Sequence, residues 1–238
     1  MVHCITATVS MGLVADGLLA AGARPMMTET LQEAPVVTAL ADALLINFGT
    51  LSTDAAQAIP ATVDAAMSRA MPWVMDPTAI GVAPIRTRMA RELLMKGPTV
   101  VRGNASEILA LAGQGSGGRG ADASETTFHA RGAARSVAGV TGGVVSVSGK
   151  TDLVVDARDR QAVLRRGRPE LARVTGTGCL LGALVAACTA VIDDPFEAAL
   201  AASTWMAVAG ERAAQGNPTP RMGTFRMRLI DELDAVNT

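Results

Sequence analysis

The sequence predicts an α/β protein with a mostly parallel central sheet, helices on both faces and antiparallel strands at one edge. Short apolar segments alternate with longer helical patterns from the first residues onward, which is typical of successive βα units. Hydrophobic residues make up 49% of the chain but aromatic residues only 3%, so the core must be mainly Ala, Val, Leu, Ile and Met. That composition favours parallel strands covered by Ala-rich helices over a β-sandwich.

The first half of the chain is predicted to contain strands that are each followed by a helix. The strands are expected at residues 2–5, 24–27, 43–47, 73–75 and 99–101. The helices are expected at residues 10–21, 34–41, 53–70, 87–95 and 104–112. Segment 43–47 is apolar on both faces, as expected for a strand buried between two helix layers. Thr53 and Asn104 are predicted N-caps because their side chains can accept hydrogen bonds from the first helical turn.

The second half begins with a Gly- and Ser-rich segment at residues 114–123, which we predict to be a mobile surface loop. A helix is expected at residues 124–138, followed by strands at 144–148, 153–155 and 162–164. Turn-like residues join these strands, so antiparallel pairing is favoured. The last helices are expected at residues 179–191, 196–214 and 225–233. Because we find no repeat, linker or charge block, we interpret residues 1–238 as one domain.

Bulk properties argue against several classes of protein. The formal net charge is −1 and no basic block is present, so nucleic acid is not expected as the main partner. The three cysteines have neither metal-ligand spacing nor the pattern of a disulfide framework. The longest apolar run, residues 179–192, is shorter than the roughly 20 residues that span a bilayer. The first residues lack a signal-peptide pattern, so we expect a cytoplasmic protein without membrane association.

The most informative stretch is Thr175-Gly-Thr-Gly-Cys179, which runs directly into an apolar helical segment. Glycine allows the backbone to turn sharply and to approach a ligand closely. A helix that starts there offers unpaired N–H groups and the positive end of its dipole, which together bind phosphate or a developing anion. The Cys179 thiol would lie at this helix start and be partly ionised by the same field. The alternative is a glycine-rich loop that only leads into a buried helix.

Polar side chains follow the predicted strands, at the end of an open parallel sheet where ligands bind. Asp76 and Glu107 could hold Mg²⁺ directly or through water, and Arg102 could meet phosphate oxygens. The alternatives are structural. Asp76 precedes Pro77 as a turn former would, and Arg102 could be a surface charge. Glu107 could be the capping-box partner of Asn104. Further polar residues at strand ends are Thr6, Thr28, Asn47, Ser148 and Lys150.

Six motifs follow one another in order along nearly the whole chain. They are Val2-His-Cys-Ile-Thr6, Gly17-Leu-Leu-Ala20, Asp42-Ala-Leu-Leu-Ile-Asn47 with Gly49-Thr-Leu51, Asp76-Pro77, Arg102-Gly-Asn-Ala-Ser-Glu107 and Val174-Thr-Gly-Thr-Gly-Cys179. Together they resemble the hydroxyethylthiazole kinase family, whose members are ribokinase-like enzymes of thiamine salvage. The last two motifs are the most specific. The resemblance continues through Gly223-Thr-Phe-Arg226 and implies a ribokinase-like fold.

The resemblance implies transfer of the γ-phosphate of ATP to the primary hydroxyl of 4-methyl-5-(2-hydroxyethyl)thiazole, with Mg²⁺ as cofactor. By matching positions, Asp76 and Glu107 would serve the metal. The positions implied for ATP binding are Arg102, Asn104 and Ser148, the last of which stands where the family usually has Thr. The positions implied for the thiazole site are Ala7, Met27 and Gly176.

The resemblance also assigns the catalytic end of the site. Cys179 takes the place of the catalytic Asp of most ribokinase-like sugar and pyrimidine kinases. A thiolate there could draw the proton from the substrate hydroxyl, although a thiol is a poorer base than this position suggests. The backbone N–H groups of Gly176, Thr177, Gly178 and Cys179 are expected to contribute more, because they can stabilise charge on the γ-phosphoryl group.

The resemblance further implies a homotrimer whose thiazole sites lie at subunit interfaces. Departures from the family pattern cluster on the acceptor side of the implied site, at Ala7, Thr8, Gly12, Asp16 and Ile80. Phosphoryl transfer is therefore better supported than the identity of the acceptor. Two alternatives stay open: a kinase of another small alcohol such as hydroxymethylpyrimidine, and a non-catalytic paralogue that binds nucleotide or thiazole.

Overall fold

The computed structural model describes residues 1–115, 127–217 and 219–235. Its strands are β1 (Val2–Ile5), β2 (Pro25–Met26), β3 (Ala43–Asn47), β4 (Trp73–Asp76), β5 (Val100–Asn104), β6 (Val144–Ser148), β7 (Asp152–Asp156) and β8 (Gln161–Leu164). Its α-helices are α1 (Met11–Ala20), α2 (Ala34–Thr38), α3 (Thr53–Ser68), α4 (Pro84–Leu94), α5 (Ala105–Leu111), α6 (Arg131–Thr141), α7 (Thr177–Thr189), α8 (Pro195–Ala213) and α9 (Met222–Asp234). Short 3-10 helices, Thr8–Ser10 and Pro169–Arg173, precede α1 and α7.

The described strands form one sheet in the order β2-β1-β3-β4-β5-β6-β7-β8. Strands β1 to β6 pair in parallel, and β7 and β8 add an antiparallel edge. The fold class predicted from the alternation of strands and helices is therefore confirmed. Since the parallel strands all point the same way, their carboxyl ends meet along one side of the sheet.

Two layers of helices cover the sheet, and alternate strand residues face one layer or the other. In β3, Leu44 and Ile46 pack into a cluster with residues of α2 to α6. Ala43 and Leu45 pack into a second cluster with residues of α1, α7, α8 and α9. All four side chains are fully buried, so β3 is apolar on both faces as predicted.

The start of α3 differs from the prediction, because the capping residue is Ser52 and not Thr53. Ser52 has extended backbone angles, and its Oγ accepts a hydrogen bond from the N–H of Ala55 at 2.9 Å. Thr53 is already the first helical residue. The predicted cap at Asn104 is confirmed, since its side-chain oxygen accepts from the N–H of Glu107 at 2.9 Å. A neighbouring pair of good capping residues leaves the position ambiguous by one residue in sequence.

Helix α6 starts at Arg131 rather than at residue 124. Residues 127–130 form turns, and Phe128 there is 75% exposed, so this apolar side chain does not pack as it would in an amphipathic helix. Residues 124–126 and most of the predicted loop at 114–123 lie outside the described residues.

Strand β5 is longer than predicted, and its extra residues belong to the site. The polar sequence Arg102-Gly-Asn104 suggested that the strand had ended, but Arg102 pairs with Ser146 and Asn104 with Ser148 of β6. Elsewhere, α4 begins at Pro84, a residue that fits the first turn of a helix because its missing N–H is not needed there. In the described part of the chain, no helix combines the length and the apolar character that crossing a membrane requires.

Candidate active site

Strand register brings polar residues together at the carboxyl ends of the central strands. Asn47, the last residue of β3, pairs with Asp76, the last residue of β4. Asn104 of β5 pairs in the same way with Ser148 of β6. Helix α7 packs against β1, β3, β4 and β5, and Gly178 and Gly182 in its first turns lie against Arg102 and Asp76. The predicted cluster at one edge of the sheet is thus formed.

Arg102 connects the ends of three strands. Its Nη1 donates to Asp76 Oδ2 at 3.1 Å, and its Nη2 donates to Ser148 Oγ at 2.7 Å. Burial lowers the pKa of Arg102, but the negative charges of Asp76 and Glu107 outweigh this effect and the pKa is raised. The Nε–H of Arg102 has no hydrogen-bond partner within the described residues. Arg102 is therefore a buried cation with a donor to spare, not the surface charge of the alternative interpretation.

Asp76 is fully buried and held from two sides. Besides the ion pair with Arg102, its Oδ1 accepts a hydrogen bond from Thr78 Oγ1 at 3.0 Å. Thr78 in turn accepts from Asn47 Nδ2 at 3.0 Å. These two partners were not assigned a role from the sequence, although Asn47 was noted as a polar strand end. Thr78 could have been recognised from its position two residues after Asp76, because a hydroxyl there can donate a hydrogen bond to the carboxylate.

Glu107 is both a capping residue and a buried carboxylate. Its Oε2 accepts from the N–H of Asn104 at 2.9 Å, which completes a capping box, and its Oε1 accepts from the N–H of Ala79 at 3.1 Å. Burial raises the pKa of Glu107, and the nearby charge of Asp76 raises it further. The capping interpretation of Glu107 is therefore correct, and it also fixes this carboxylate beside Asp76.

The turn before α7 leaves no room for side chains at two positions. Gly176 has a φ of +96°, which glycine adopts without strain, and a Cβ there would lie 2.7 Å from Cβ of Ser10. A Cβ on Gly178 would lie 2.9 Å from Nη1 of Arg102. The guanidinium therefore lies directly against the backbone at the start of α7. This close approach to Ser10 and Arg102 favours glycine at both positions, and the approach to a ligand stays a prediction.

The start of α7 offers N–H donors rather than a hydroxyl. Thr177 is buried, and its Oγ1 lies 2.6 Å from the carbonyl oxygen of Leu171 and 3.1 Å from that of Val174, so its side chain holds the turn together. The N–H groups of Gly178 and Cys179 have no main-chain acceptor in the described residues. Unpaired donors at a helix start, beside a buried arginine, suit a phosphoryl group.

Cys179 lies half-buried at this helix start, but its thiol is not activated. Burial raises the pKa of the thiol, and the charge of Asp76 raises it further. The hydroxyl groups of Ser10 and Thr6 and the charge of Arg102 lower the pKa by less, so the net direction is upward. The expectation that the helix field partly ionises Cys179 is therefore wrong, because desolvation and a like charge dominate.

The predicted acceptor residues lie on the β1 and β2 side of the site. Ala7 is buried, and its Cβ leaves no room for a side chain on Gly49, since a Cβ there would lie 2.6 Å away. Met27 is partly buried against the cluster that contains α1 and α7. The backbone after Met27 is held by His3, whose Nε2 is 2.8 Å from the carbonyl oxygen of Thr28. His3 is thus a strand residue whose two ring nitrogens both have hydrogen-bond partners.

Two buried carboxylates, Asp76 and Glu107, are the hard oxygen ligands that the site can offer to a cation. Among the described residues, no group of three or more His, Cys, Asp or Glu side chains is arranged to hold a metal ion. Mg²⁺ in phosphoryl-transfer sites is commonly held by one or two carboxylates together with substrate phosphates and water. The donor set fits that pattern and does not fit a cage made by the protein alone.

Comparisons with known proteins cover the whole chain. A model of the hydroxyethylthiazole kinase family matches residues 1–238. The curated protein "Hydroxyethylthiazole kinase" of Kineococcus radiotolerans is 48% identical over 238 residues, which is 100% of this chain and 85% of that protein. The protein of the same name from Cronobacter sakazakii is 45% identical over 235 residues, which is 99% of this chain and 88% of the relative.

Solved structures agree with this relationship. The structure of a hydroxyethylthiazole kinase protein from Pyrococcus horikoshii superimposes with a TM-score of 0.88 at 34% identity, covering 100% of this chain and 88% of that chain. Pyridoxal kinase from Staphylococcus aureus, in complex with AMP-PCP and pyridoxal, superimposes with a TM-score of 0.69 at 20% identity, covering 89% of this chain and 87% of that chain, which shows a shared fold only. The chain belongs to the hydroxyethylthiazole kinase family.

Proposed function

We propose that this protein transfers the γ-phosphate of ATP to the hydroxyl of 4-methyl-5-(2-hydroxyethyl)thiazole, a step of thiamine salvage. Family membership and the names of the relatives support the reaction and the acceptor. The observation that carries the proposal is the contact of Arg102 with the start of α7, where a Cβ on Gly178 would lie 2.9 Å from the guanidinium. A fixed cation beside unpaired helix N–H groups is complementary to the negative charge on a transferred phosphoryl group.

The reaction forms one bond and breaks one. The alcohol oxygen bonds to the γ-phosphorus, the bond from that phosphorus to the β–γ bridging oxygen breaks, and ADP leaves. Because the raised pKa keeps Cys179 a neutral thiol, we assign the alcohol proton to an oxygen of the transferred phosphoryl group and then to solvent. The N–H groups of Gly178 and Cys179, which have no main-chain acceptor in the described residues, stabilise the charge during transfer. Gly176 and Thr177 form the turn that presents them, and Cys179 shapes the site.

We assign ATP binding to the arginine cluster. Arg102, with its free Nε–H, meets the phosphates, and Ser148 holds the other side of the guanidinium at 2.7 Å. Asn104 fixes the turn between β5 and α5 by capping the helix, so that Glu107 faces the same site. Asp76 and Glu107 are the residues that would hold Mg²⁺. The bound ion would neutralise phosphate charge during transfer.

The acceptor would lie across the site from the phosphates, against Met27, Ala7 and Gly176. We propose a homotrimer in which a second subunit completes this acceptor site. Support comes from exposed apolar side chains in the first 40 residues, which include Met26 of the edge strand β2 and also Val9, Leu19, Leu31, Val36 and Leu40. Exposed apolar side chains and an open strand edge are suited to burial by another subunit. Metabolic kinases of this kind act in the cytoplasm, which is where we place this protein.

An ADP-release assay across alcohols tests the proposal. We expect Mg²⁺-dependent release with 4-methyl-5-(2-hydroxyethyl)thiazole, and little release with hydroxymethylpyrimidine or without an alcohol. Chelation of Mg²⁺ with EDTA should abolish turnover, and added Mg²⁺ should restore it. Preferential release with the pyrimidine would instead favour a kinase of another alcohol. Binding of ATP without release on any alcohol would contradict both enzyme functions and leave a non-catalytic paralogue.

A further inference from the structure

Thr6 carries an unexplained hydroxyl at the centre of the site. It directly follows β1 and is buried, yet its Oγ1 has no hydrogen-bond partner within the described residues. A buried hydroxyl without a partner is unfavourable, and in native structures such a group calls for a catalytic, ligand or solvent explanation. Its polar neighbour is the Cys179 thiol, which is close enough for the hydroxyl to affect its pKa, but no hydrogen bond of normal geometry joins the two groups.

The position of Thr6 is defined by its neighbours on two sides. Strand register pairs Ile5 with Ile46, so Thr6 follows at the level of Asn47, which itself pairs with Asp76. On the other side, the segment after β1 touches the start of α7, because a Cβ on Gly176 would lie 2.7 Å from Cβ of Ser10. Thr6 therefore lies between the strand ends and the proposed phosphoryl site.

Two hydroxyl groups interact with the Cys179 thiol, and they differ in their bonding. The hydroxyls of Ser10 and Thr6 both favour the thiolate form of Cys179, although burial keeps its pKa raised. Ser10 Oγ is already committed, since it donates to the carbonyl oxygen of Ala7 at 2.9 Å. Thr6 lies near the thiol without a hydrogen bond of normal geometry, so its hydroxyl is the one of the two that can turn to a ligand.

We propose that the Thr6 hydroxyl hydrogen-bonds the reacting alcohol oxygen of the acceptor and positions it against the start of α7. The inference rests on the proposed function. It adds a contact with the hydroxyl group of the acceptor, not with its thiazole ring. Thr6 neither gains nor loses a proton, because its hydroxyl stays neutral. The alcohol proton leaves by the route given above. Thr6 is thus a substrate-binding residue of the transfer step, not a base.

The first test compares two ligands that differ only in the hydroxyl group. Calorimetric titration would measure binding of the thiazole alcohol and of 5-ethyl-4-methylthiazole, its deoxy analogue, to the wild-type protein and to Thr6→Val. Valine keeps the shape of threonine but cannot hydrogen-bond. We expect Thr6→Val to weaken binding of the alcohol about tenfold and to leave binding of the analogue within about twofold of wild type.

The second test separates this role from a structural one. Thr6→Val should lower kcat/KM for the alcohol at least about tenfold without changing KM for ATP, and Thr6→Ser should restore most of the activity. The melting temperature of Thr6→Val should stay the same or rise, because this change removes an unpaired buried hydroxyl. The matched control is Thr62→Val in α3, where a buried hydroxyl donates to the carbonyl oxygen of Ala58 at 2.8 Å. This control should leave the kinetics unchanged.

The outcomes distinguish the inference from the proposed function. Suppose that wild type phosphorylates the thiazole alcohol. If Thr6→Val then binds both ligands as wild type does, or binds both more weakly by the same factor, the proposed contact with the hydroxyl is wrong. A lowered melting temperature with activity lost in both Thr6→Val and Thr6→Ser would indicate a purely structural role and also overturn it. If wild type neither binds nor phosphorylates the alcohol, the proposed function fails first, and the inference fails with it.

Discussion

Cys179 is subject to opposing effects at the start of a helix. Burial and the charge of Asp76 favour the neutral thiol and raise its pKa, and they outweigh the hydroxyl of Ser10, the charge of Arg102 and the hydroxyl of Thr6, which favour a thiolate. From the sequence, only the helix start was visible as an influence on Cys179. The carboxylate beside it comes from β4, about a hundred residues earlier in the chain, and its distance from the thiol depends on the packed structure.

Replacement of Cys179 tests whether the thiol acts as a base. Because it is neutral in the folded protein, Cys179→Ala should retain activity, with kcat reduced by less than the roughly 100-fold expected for loss of a general base. Cys179→Asp should be more active than Cys179→Ala, since a carboxylate could take up the alcohol proton. Steady-state kinetics with the thiazole alcohol would measure both. Undetectable turnover by a folded Cys179→Ala variant would refute the assignment.

Glycine at positions 176 and 178 shows which parts of the site sequence reasoning can reach. Two glycines immediately before an apolar helix predicted a close backbone approach, and the contacts with Ser10 and Arg102 have that form. Their partners could not be named, because Ser10 and Arg102 are far from the turn in sequence. The roles assigned to Arg102, Asn104, Ser148, Asp76 and Glu107 stay predictions, although the residues lie together.

At the scale of elements, alternation of apolar strands and helical patterns was enough to predict the layered sheet and most of its strands. Errors fell where local chemistry was ambiguous. Ser52 and Thr53 are both good caps, and only backbone conformation selects Ser52. The polar end of β5 looked like a loop because Arg102 and Asn104 break the hydrophobic pattern. Strand ends that carry function are therefore the ones that a hydrophobicity pattern is prone to miss.

Arg160 links the antiparallel edge to the start of α8. It donates to both carboxylate oxygens of Asp194, at 2.6 and 2.9 Å, and to Asp156 Oδ2 at 2.6 Å. Its guanidinium also lies 4.6 Å from the ring centre of Phe196. Hydrogen bonds from Arg160 and from the N–H of Phe196 lower the pKa of Asp194 to about 2.

This arrangement predicts a pH-dependent contribution of Asp194 to stability. The pKa of Asp194 is lower in the folded protein than the roughly 3.9 of an unfolded chain, so the charged form stabilises the fold above about pH 4. The contribution is lost as the pH falls through about 2. Asp194→Asn keeps the oxygen that caps α8 but removes the charge. We expect the wild type to unfold at higher urea than this variant at pH 6.

The measurement is a set of urea unfolding curves for both proteins between about pH 6 and pH 2. The difference in unfolding midpoint should shrink steadily over the acidic half of this range, because the wild-type carboxylate becomes protonated. A difference that is the same at both ends of the range would mean that the charge of Asp194 does not contribute to stability.

At the scale of the molecule, one sheet joins all the described strands, and the assignment of residues 1–238 to a single domain stays a prediction. The two edges of this sheet differ. Strand β2 has only two residues and pairs in parallel, whereas β8 has four residues and pairs antiparallel. Family membership was correctly predicted from six motifs, but assembly depends on surface shape, which motifs do not describe.

The proposed trimer gives a testable difference between the two sheet edges. Light scattering should find a mass about three times the 24.3 kDa of the chain. Met26→Lys, on the exposed edge strand β2, should reduce this mass and raise KM for the thiazole alcohol, because the acceptor site would lose its second subunit. Val163→Lys is the matched control on the opposite edge strand β8, and it should change neither property. A fully active monomeric wild type would rule out the shared site.

The hydrogen bonds of Arg102 have a consequence for how the protein folds. They join residues 26 and 46 positions apart in the chain, so each closes a long loop. Long-range contacts form late, since the entropy of closing the chain is lost before the contact stabilises it. A folding intermediate that lacks β4 or β6 would lack this arginine cluster as well. The phosphate end of the site therefore belongs to the completed sheet, and recovery of nucleotide binding during refolding reports assembly of the central strands.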